Sequence, residues 1–369
     1  MISASQRQAI HAFTGREAPL SAIGTDRFQF SPLQGGLINH SFRLRIEGGE
    51  ELLLQKFNIQ VFKDPVAVQA NYMDLWDFLQ RKEIRLTLPE PQRTGSGEAL
   101  FRDDEGEYWR AFRFIKNSEM HDVASSADEA YATAQTFGTF TASLTRYDPS
   151  KLRIVIPRFH DLSFRYEQFC HALENGNTTR IKETSDIIKG MTDRTHYNAF
   201  YQLIHRSPSD YPLRVMHHDA KIANVLFESG TGKVICAVDF DTVMPGYFFS
   251  DLGDMIRSMA CNVDENDTGF DRIVIQQEIY GAIVSGYRSV MDPWLTEAEK
   301  KHIHHAGLLM IYMQALRFLT DHLENDRYYR ITRPEQNKER AMNQWTLLQR
   351  LEEHLKKDLG YEPSADSAK

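Results

Sequence analysis

The stretch "VMHHDAKIANVLFE", residues 215–228, sets His217, Asp219 and Asn224 at the spacing H-x-D-x-x-x-x-N. A carboxylate held on such a loop can accept the proton of a hydroxyl, and an amide oxygen five residues on can ligate a cation. Fifteen residues beyond Asn224, the apolar run "AVDFDTVMPG" presents Asp239 and Asp241, further oxygen ligands. Oxygen donors without a Cys or His cluster suit a hard ion such as Mg²⁺, whose octahedron is usually completed by substrate phosphates and water. The chemistry these residues suit is therefore phosphoryl transfer from a nucleotide. Taken singly, Asp219 and Asn224 have a plainer role as turn residues that satisfy nearby backbone groups.

The flanking sequence must hold these residues in place. Leu213 to Met216 and Val225 to Phe227 read as short buried strands, so the polar residues sit on a loop between two rigid elements. His217 is expected to be a buried spacer that fixes the loop, and His218 to lie at the surface. Asp251 in "SDLGDMIRS", after the candidate helix cap Ser250, either caps the next helix or braces the loop. Upstream, residues 28–57 read as strands joined by turns, and Asp64-Pro65 opens a helical pattern through Val66, Val68, Tyr72, Leu75, Trp76 and Leu79. Residues 99–115 return to strand and turn signals; beyond them the period is helical except near residues 213–239, and "PSADSAK" is an expected frayed tail. The expected fold class is α+β and bilobal: a small β-rich N-terminal lobe, 1–115, and a larger, mainly helical C-terminal lobe, 116–369.

Composition narrows the function further. With 43 basic and 51 acidic residues the net charge is −8, and no Lys/Arg stripe is interleaved with aromatics, so nucleic acid is not an expected partner. The opening "MISASQRQAIHAF" has no basic-then-apolar pattern, and no stretch reaches the roughly 20 apolar residues of a membrane span. A cytoplasmic protein without a membrane partner is expected. Cys170, Cys236 and Cys261 are far apart in the chain and read as small hydrophobes rather than a metal site or a disulfide framework.

His217, Asp219 and Asn224 match the spacing of the protein-kinase catalytic loop, in which the Asp takes the hydroxyl proton and the Asn binds Mg²⁺. "HHDAKIAN", "VDFD" and "SDLGD" resemble the aminoglycoside phosphotransferase and choline kinase superfamily, whose members have a protein-kinase-like fold and phosphorylate small molecules. More narrowly, "GGLINHSF", "LLLQKFN" followed by "VFKD", "YWRAFRFI", "PRFHDLSFRYEQF", "DFDTVMPG" and "RFLTDHLENDRYY" resemble the N-acetylhexosamine 1-kinases over nearly the whole chain. The resemblance implies ATP and Mg²⁺ as cofactors. It implies Asp219 as catalytic base and Asn224 and Asp239 as Mg²⁺ ligands, with Asp241 beside them or as an additional ligand. Lys221 would steady the moving phosphoryl group. Gly35 and Gly36 would lie in the loop over the phosphates, and the backbone of Phe114, Ile115 and Lys116 would meet adenine. Arg317 and Tyr328 would face the acceptor.

One position departs from most kinases. Where the strand lysine that pairs nucleotide phosphates is expected, Gln55 stands and Lys56 follows. Strand side chains alternate faces, so only one of the two can face the nucleotide without a bulge. The resemblance carries a Gln at this position and so implies Gln55 facing the nucleotide and Lys56 facing outward. The expected reaction moves the γ-phosphoryl group of ATP to a hydroxyl of a small sugar, the anomeric hydroxyl of an N-acetylhexosamine. The alternatives are a kinase for choline, an aminoglycoside or another small metabolite, and a catalytically inactive nucleotide-binding protein of the same fold. A polycation needs a carboxylate-dense site and a quaternary amine an aromatic cage. The mixed Arg, Asn, Gln, Tyr and Asp of residues 317–345 instead suit neutral hydroxyl and amide groups. The plainer role for Arg317 is a surface ion pair with Asp321, four residues on.

Overall fold

Asp64 and Pro65 begin a helix for the reasons their chemistry gives. The Asp64 carboxylate accepts the Ala67 amide at 2.9 Å, and proline occupies a first-turn position whose N–H would have no partner, so the helix runs Pro65–Arg81. A computed structural model describes residues 2–17, 28–33, 38–49 and 51–362. The described chain is mixed α+β, with a β-rich N-terminal part and a mainly helical remainder. It divides into two compact units. One comprises Met1–Glu119, Ser150–Ile156 and Leu226–Met244, and the other Met120–Pro149, Pro157–Val225 and Pro245–Lys369. The first unit is thus discontinuous in sequence. Ser118 and Glu119 pair with Glu228 and Phe227, and Val155 and Ile156 pack on Phe57, Phe62 and Val68, so long-range contacts recruit two later segments to it.

In the first unit an antiparallel sheet follows the order Phe28–Pro32, His40–Ile46, Leu52–Lys56, Tyr108–Arg113, Pro91–Gln92. Leu54 stands opposite Ala111, Gln55 opposite Arg110 and Lys56 opposite Trp109. Alternation then sorts the side chains. Leu52, Leu54, Trp109 and Ala111 join a core with Ala9, Ile10 and Phe13 of the helix Ala4–Thr14, while Gln55 and Arg110 belong to the other face.

The second unit is organised on the helix His305–Leu323, which packs against the helices Leu162–Asn175, Phe249–Met259 and Gln336–Leu359. Every residue of this helix is buried except Arg317. The helix Phe249–Met259 seats closely on it because Gly253 has no side chain; a Cβ there would lie 2.4 Å from the Ala306 carbonyl oxygen. Cys236 and Cys261 are buried, Cys170 is half-buried, and all three are free thiols. No helix among the described residues is long and apolar enough to cross a membrane.

A histidine cluster makes this unit sensitive to acid. The Tyr211 hydroxyl meets His302 Nδ1 at 2.8 Å, the Tyr280 hydroxyl meets His304 Nδ1 at 2.6 Å, and His305 contacts the Tyr361 hydroxyl. Burial pushes His305 down to about 3 and His304 down to about 4, and lowers His196 and His302 as well. Below the unfolded value of about 6.5 the unfolded chain therefore takes up protons that the folded one refuses. Each such group removes up to about 1.4 kcal/mol per pH unit until its folded value is reached. Asp251, pushed up to about 7 by burial, and Asp254, raised by the same cause, work in the opposite sense over part of that range, but as two groups against six, since burial also lowers His160 and His322. Thermal melting should show full stability above pH 6.5 and a falling Tm between pH 6.5 and 4. A Tm that holds or rises over that interval would contradict this balance.

Candidate active site

In the second unit the strand Arg214–Met216 delivers the His217–Asn224 loop. Arg214 anchors the strand through its ion pair with the fully buried Glu299 (2.5 Å) and a bond to the Trp294 carbonyl (2.7 Å). His217 is the expected buried spacer, edge-on to Phe137 and Phe140 with ring centroids 5.0 and 6.3 Å away. The backbone N–H groups of His217 and His218 donate to the two carboxylate oxygens of Asp251 at 2.8 and 2.7 Å. Burial raises the Asp251 carboxyl to about 7, against the opposing pull of these two bonds. Asp251 therefore braces the loop; Ser250 lies inside the helix Phe249–Met259 and is not its cap.

The surface position expected for His218 is corrected: the residue is only 5% exposed. Its backbone is left-handed, φ 65°, and its ring turns inward. There it meets His160, Nδ1 to Nδ1 at 3.2 Å, and lies over Gly246, where a Cβ would stand 2.6 Å from it. Asp219 comes next and is partly exposed. The Asn224 amide nitrogen donates to the Asp219 carboxylate and to its carbonyl oxygen, both at 2.8 Å, and Lys221 Nζ lies 3.0 Å from the same carboxylate. The spacing read from sequence thus corresponds to a carboxylate held by an amide and an ammonium.

In the first unit the strand Val234–Ala237 leads to Asp239, which is exposed and also left-handed, φ 62° and ψ 63°. A non-glycine residue in this region is uncommon, and such positions concentrate at functional sites. Asp241, two residues on, is buried. Arg110 Nη1 lies 2.5 Å from its carboxylate and Asn39 Nδ2 donates to it at 2.6 Å. Arg110 Nε in turn donates to Gln55 Oε1 at 3.0 Å, and Gln55 Nε2 donates to Ser41 at 3.0 Å. Gln55 therefore shares a face with Arg110, while Lys56, on the other face, is 3.8 Å from Glu107. Arg110 went unrecognised in the sequence. Its only signal is a cation at an inward position of "YWRAFRFI", and its partner lies 131 residues away.

The Phe114 N–H donates to the Glu51 carbonyl at 2.8 Å, the Ile115 carbonyl accepts from the Ser118 hydroxyl at 2.7 Å, and Lys116 pairs with Glu51 at 3.1 Å. Gly35 and Gly36 lie outside the described residues. Arg317 Nη1 donates to Gln314 Oε1 at 2.9 Å, and its guanidinium lies 6.0 Å from the centre of the exposed Tyr328 ring. The ion pair with Asp321 that was the plainer expectation does not form. Asp321 instead accepts the backbone N–H groups of Tyr328 (2.7 Å) and Tyr329 (2.9 Å) and the Asn337 amide (2.8 Å).

The donor chemistry fits a hard cation. In the second unit Asn224 commits both amide hydrogens to Asp219, which leaves its oxygen as the atom it can offer. In the first unit the exposed Asp239 carries an oxygen-donor side chain of the same hard kind. No trio of His, Cys, Asp or Glu side chains among the described residues is placed to hold a metal alone; Mg²⁺ commonly takes only one or two carboxylates and completes its shell with substrate oxygens and water.

The chain belongs to the phosphotransferase enzyme family, whose model matches residues 29–292. Its fold is similar to that of a microcompartment-associated aminopropanol kinase, at 17% identity and a TM-score of 0.63 over 95% of this chain and 97% of that one. It is also similar to an aminoglycoside phosphotransferase from Alicyclobacillus acidocaldarius subsp. acidocaldarius, at 12% identity and a TM-score of 0.60 over 93% and 98%. A third likeness is to the amicoumacin kinase hAmiN, solved with AMP-PNP, Ca²⁺ and Ami, at 14% identity and a TM-score of 0.52 over 98% and 95%. Identities this low establish a shared fold.

The brace on the loop can be tested by itself. Asp251→Asn keeps the shape but offers one acceptor oxygen where two N–H groups need one each, and it turns an amide against one of them. Chemical denaturation should show a loss of about 1–3 kcal/mol, the usual cost of an unsatisfied buried donor. Unchanged stability would remove Asp251 from this role.

Proposed function

We propose that this phosphotransferase carries the γ-phosphoryl group of ATP, with Mg²⁺, to a hydroxyl of a small sugar, the anomeric hydroxyl of an N-acetylhexosamine. The observation that carries the reading is the state of Asp219: a partly exposed carboxylate, oriented by Asn224 and Lys221, at the position to which the resemblance of "HHDAKIAN" gives the base. The acceptor hydroxyl gives its proton to the Asp219 carboxylate as its oxygen bonds to the γ-phosphorus. The bond from that phosphorus to the β–γ bridging oxygen breaks, and ADP leaves with the electron pair. Lys221 keeps a positive charge beside the reacting oxygens. Mg²⁺, when bound, neutralises phosphate charge, and Asn224 and Asp239 are the residues assigned to hold it.

The nucleotide is assigned to the first unit and the acceptor to the second. Support for a sugar comes from the "PRFHDLSFRYEQF" and "RFLTDHLENDRYY" blocks and from Arg317, the one residue not buried on an otherwise buried helix and without a carboxylate partner among the described residues. A guanidinium in that state suits hydroxyl and carbonyl oxygens and repels the ammonium of choline or an aminoglycoside.

Asp219→Asn tests the reading. ADP release with the best sugar should fall by about 10²–10⁴, the usual range for a general base, while calorimetry shows ATP affinity within about threefold of the parent. A variant that keeps more than about half the parent rate would remove Asp219 from catalysis. Nucleotide binding by the parent without turnover of any acceptor would favour an inactive kinase-like binder.

A further inference from the structure

Arg165 has no role in the reaction described above, and its surroundings are unusual for a cation. It is 8% exposed, on the helix Leu162–Asn175. Its Nη1 donates to Gln168 Oε1 at 2.9 Å and its Nη2 to the Phe159 carbonyl at 3.2 Å, but its buried Nε–H has no partner. Neither Arg165 nor Arg317 is ion-paired with a carboxylate among the described residues. Buried arginines are ordinarily paired, because a desolvated charge without a counter-charge is costly. Burial, and then the charge of Arg317, push the Arg165 guanidinium down to about 10, so the two cations sense each other.

Phe159 ties this pair to the catalytic loop. The Arg317 guanidinium lies 5.4 Å from the centre of its ring, and the carbonyl of the same residue takes the Arg165 bond. The Phe159 ring stacks on His160 at 4.5 Å, and His160 meets His218, the residue before Asp219, at 3.2 Å. All of these groups belong to the second unit.

We propose that Arg165 is a second acceptor-binding arginine, which with Arg317 receives lone-pair oxygens of the acceptor, an acyl carbonyl or hydroxyls, and excludes acceptors that carry an ammonium group. A ligand oxygen supplies what the fold withholds from Arg165. The two like charges make a cation at the same place repulsive, which is selection by an unfavourable element as well as a favourable one. The inference rests on Asp219 being the base of an acceptor kinase, and it adds the chemical class of acceptor.

The test compares the full-length parent and Arg165→Met on an N-acetylhexosamine, the matching hexosamine, the matching hexose and choline, with ATP and Mg²⁺, and records Tm for both proteins. The parent should prefer the N-acetyl sugar to the free amine by at least about tenfold in kcat/KM. Arg165→Met should lower kcat/KM for the N-acetyl sugar by about tenfold, as the loss of one charged hydrogen bond implies, with the KM for ATP within about twofold. Its Tm should hold or rise, because an unpaired buried charge has been removed. A kcat/KM within twofold of the parent overturns the inference while leaving the sugar-kinase reading intact. So does a lower Tm with an equal loss on every acceptor, which marks a structural residue. If the hexose proves the best substrate, the N-acetyl assignment fails, and the size of the Arg165→Met effect on that hexose still decides the inference. A preference for the hexosamine or for choline overturns it.

Discussion

Two hydrogen bonds hold the candidate catalytic loop: the amides of His217 and His218 on the carboxylate of Asp251. A fully buried carboxylate is costly, and charge-assisted bonds of this kind offset the cost only when the backbone stays where it is. That requirement passes outward. It fixes His218 in its left-handed conformation, with its ring turned down onto Gly246 and His160, and it leaves Asp219 as the next side chain to face solvent. Asp251 is itself located by the close seating of Gly253 on the central helix His305–Leu323. A small residue at 253 thus positions a carboxylate two residues earlier, and through it the loop that carries Asp219.

The first unit repeats this division of labour with different residues. Asp241 is buried and held by Arg110 and Asn39, and Asp239, two positions earlier, is exposed in a left-handed turn. In both loops a buried carboxylate is committed to the protein, while the second carboxylate, Asp219 in one and Asp239 in the other, is partly or fully exposed. This separates residues that the sequence presents alike: Asp239 and Asp241 stand in one short motif, yet Asp239 is exposed and Asp241 is buried. The Arg110–Asp241 pair also explains why a glutamine can stand at position 55, since Gln55 completes the hydrogen bonding of an arginine that needs an acceptor at Nε.

Much of this was legible because it is local. The H-x-D-x-x-x-x-N spacing, the strands on either side of it and the helix start at Asp64-Pro65 each depend on residues a few positions apart, and each appears where the pattern places it. What escaped depends on long-range contact. Arg110 meets its partner 131 residues away, the Asp251 brace spans 34 and 33, and Ser150–Ile156 and Leu226–Met244 join the first unit through packing that no window of sequence displays. His218 looked exposed because a polar residue in a loop usually is, and only its φ angle and the space over Gly246 turn it inward. Arg165 was invisible for a related reason. It sits in a helical segment rich in aromatics and charges, and its lack of a carboxylate partner is a property of the fold.

The chemistry itself can be observed directly by phosphorus NMR of a reaction mixture containing the protein, ATP, Mg²⁺ and an N-acetylhexosamine. Transfer to the anomeric hydroxyl predicts a new phosphomonoester resonance coupled to the proton on C1, growing in step with ADP. A phosphate on a different sugar oxygen would contradict the assigned hydroxyl. Loss of ATP to ADP and inorganic phosphate, with no ester on this or any other acceptor offered, would contradict the phosphoryl-transfer role given to Asp219.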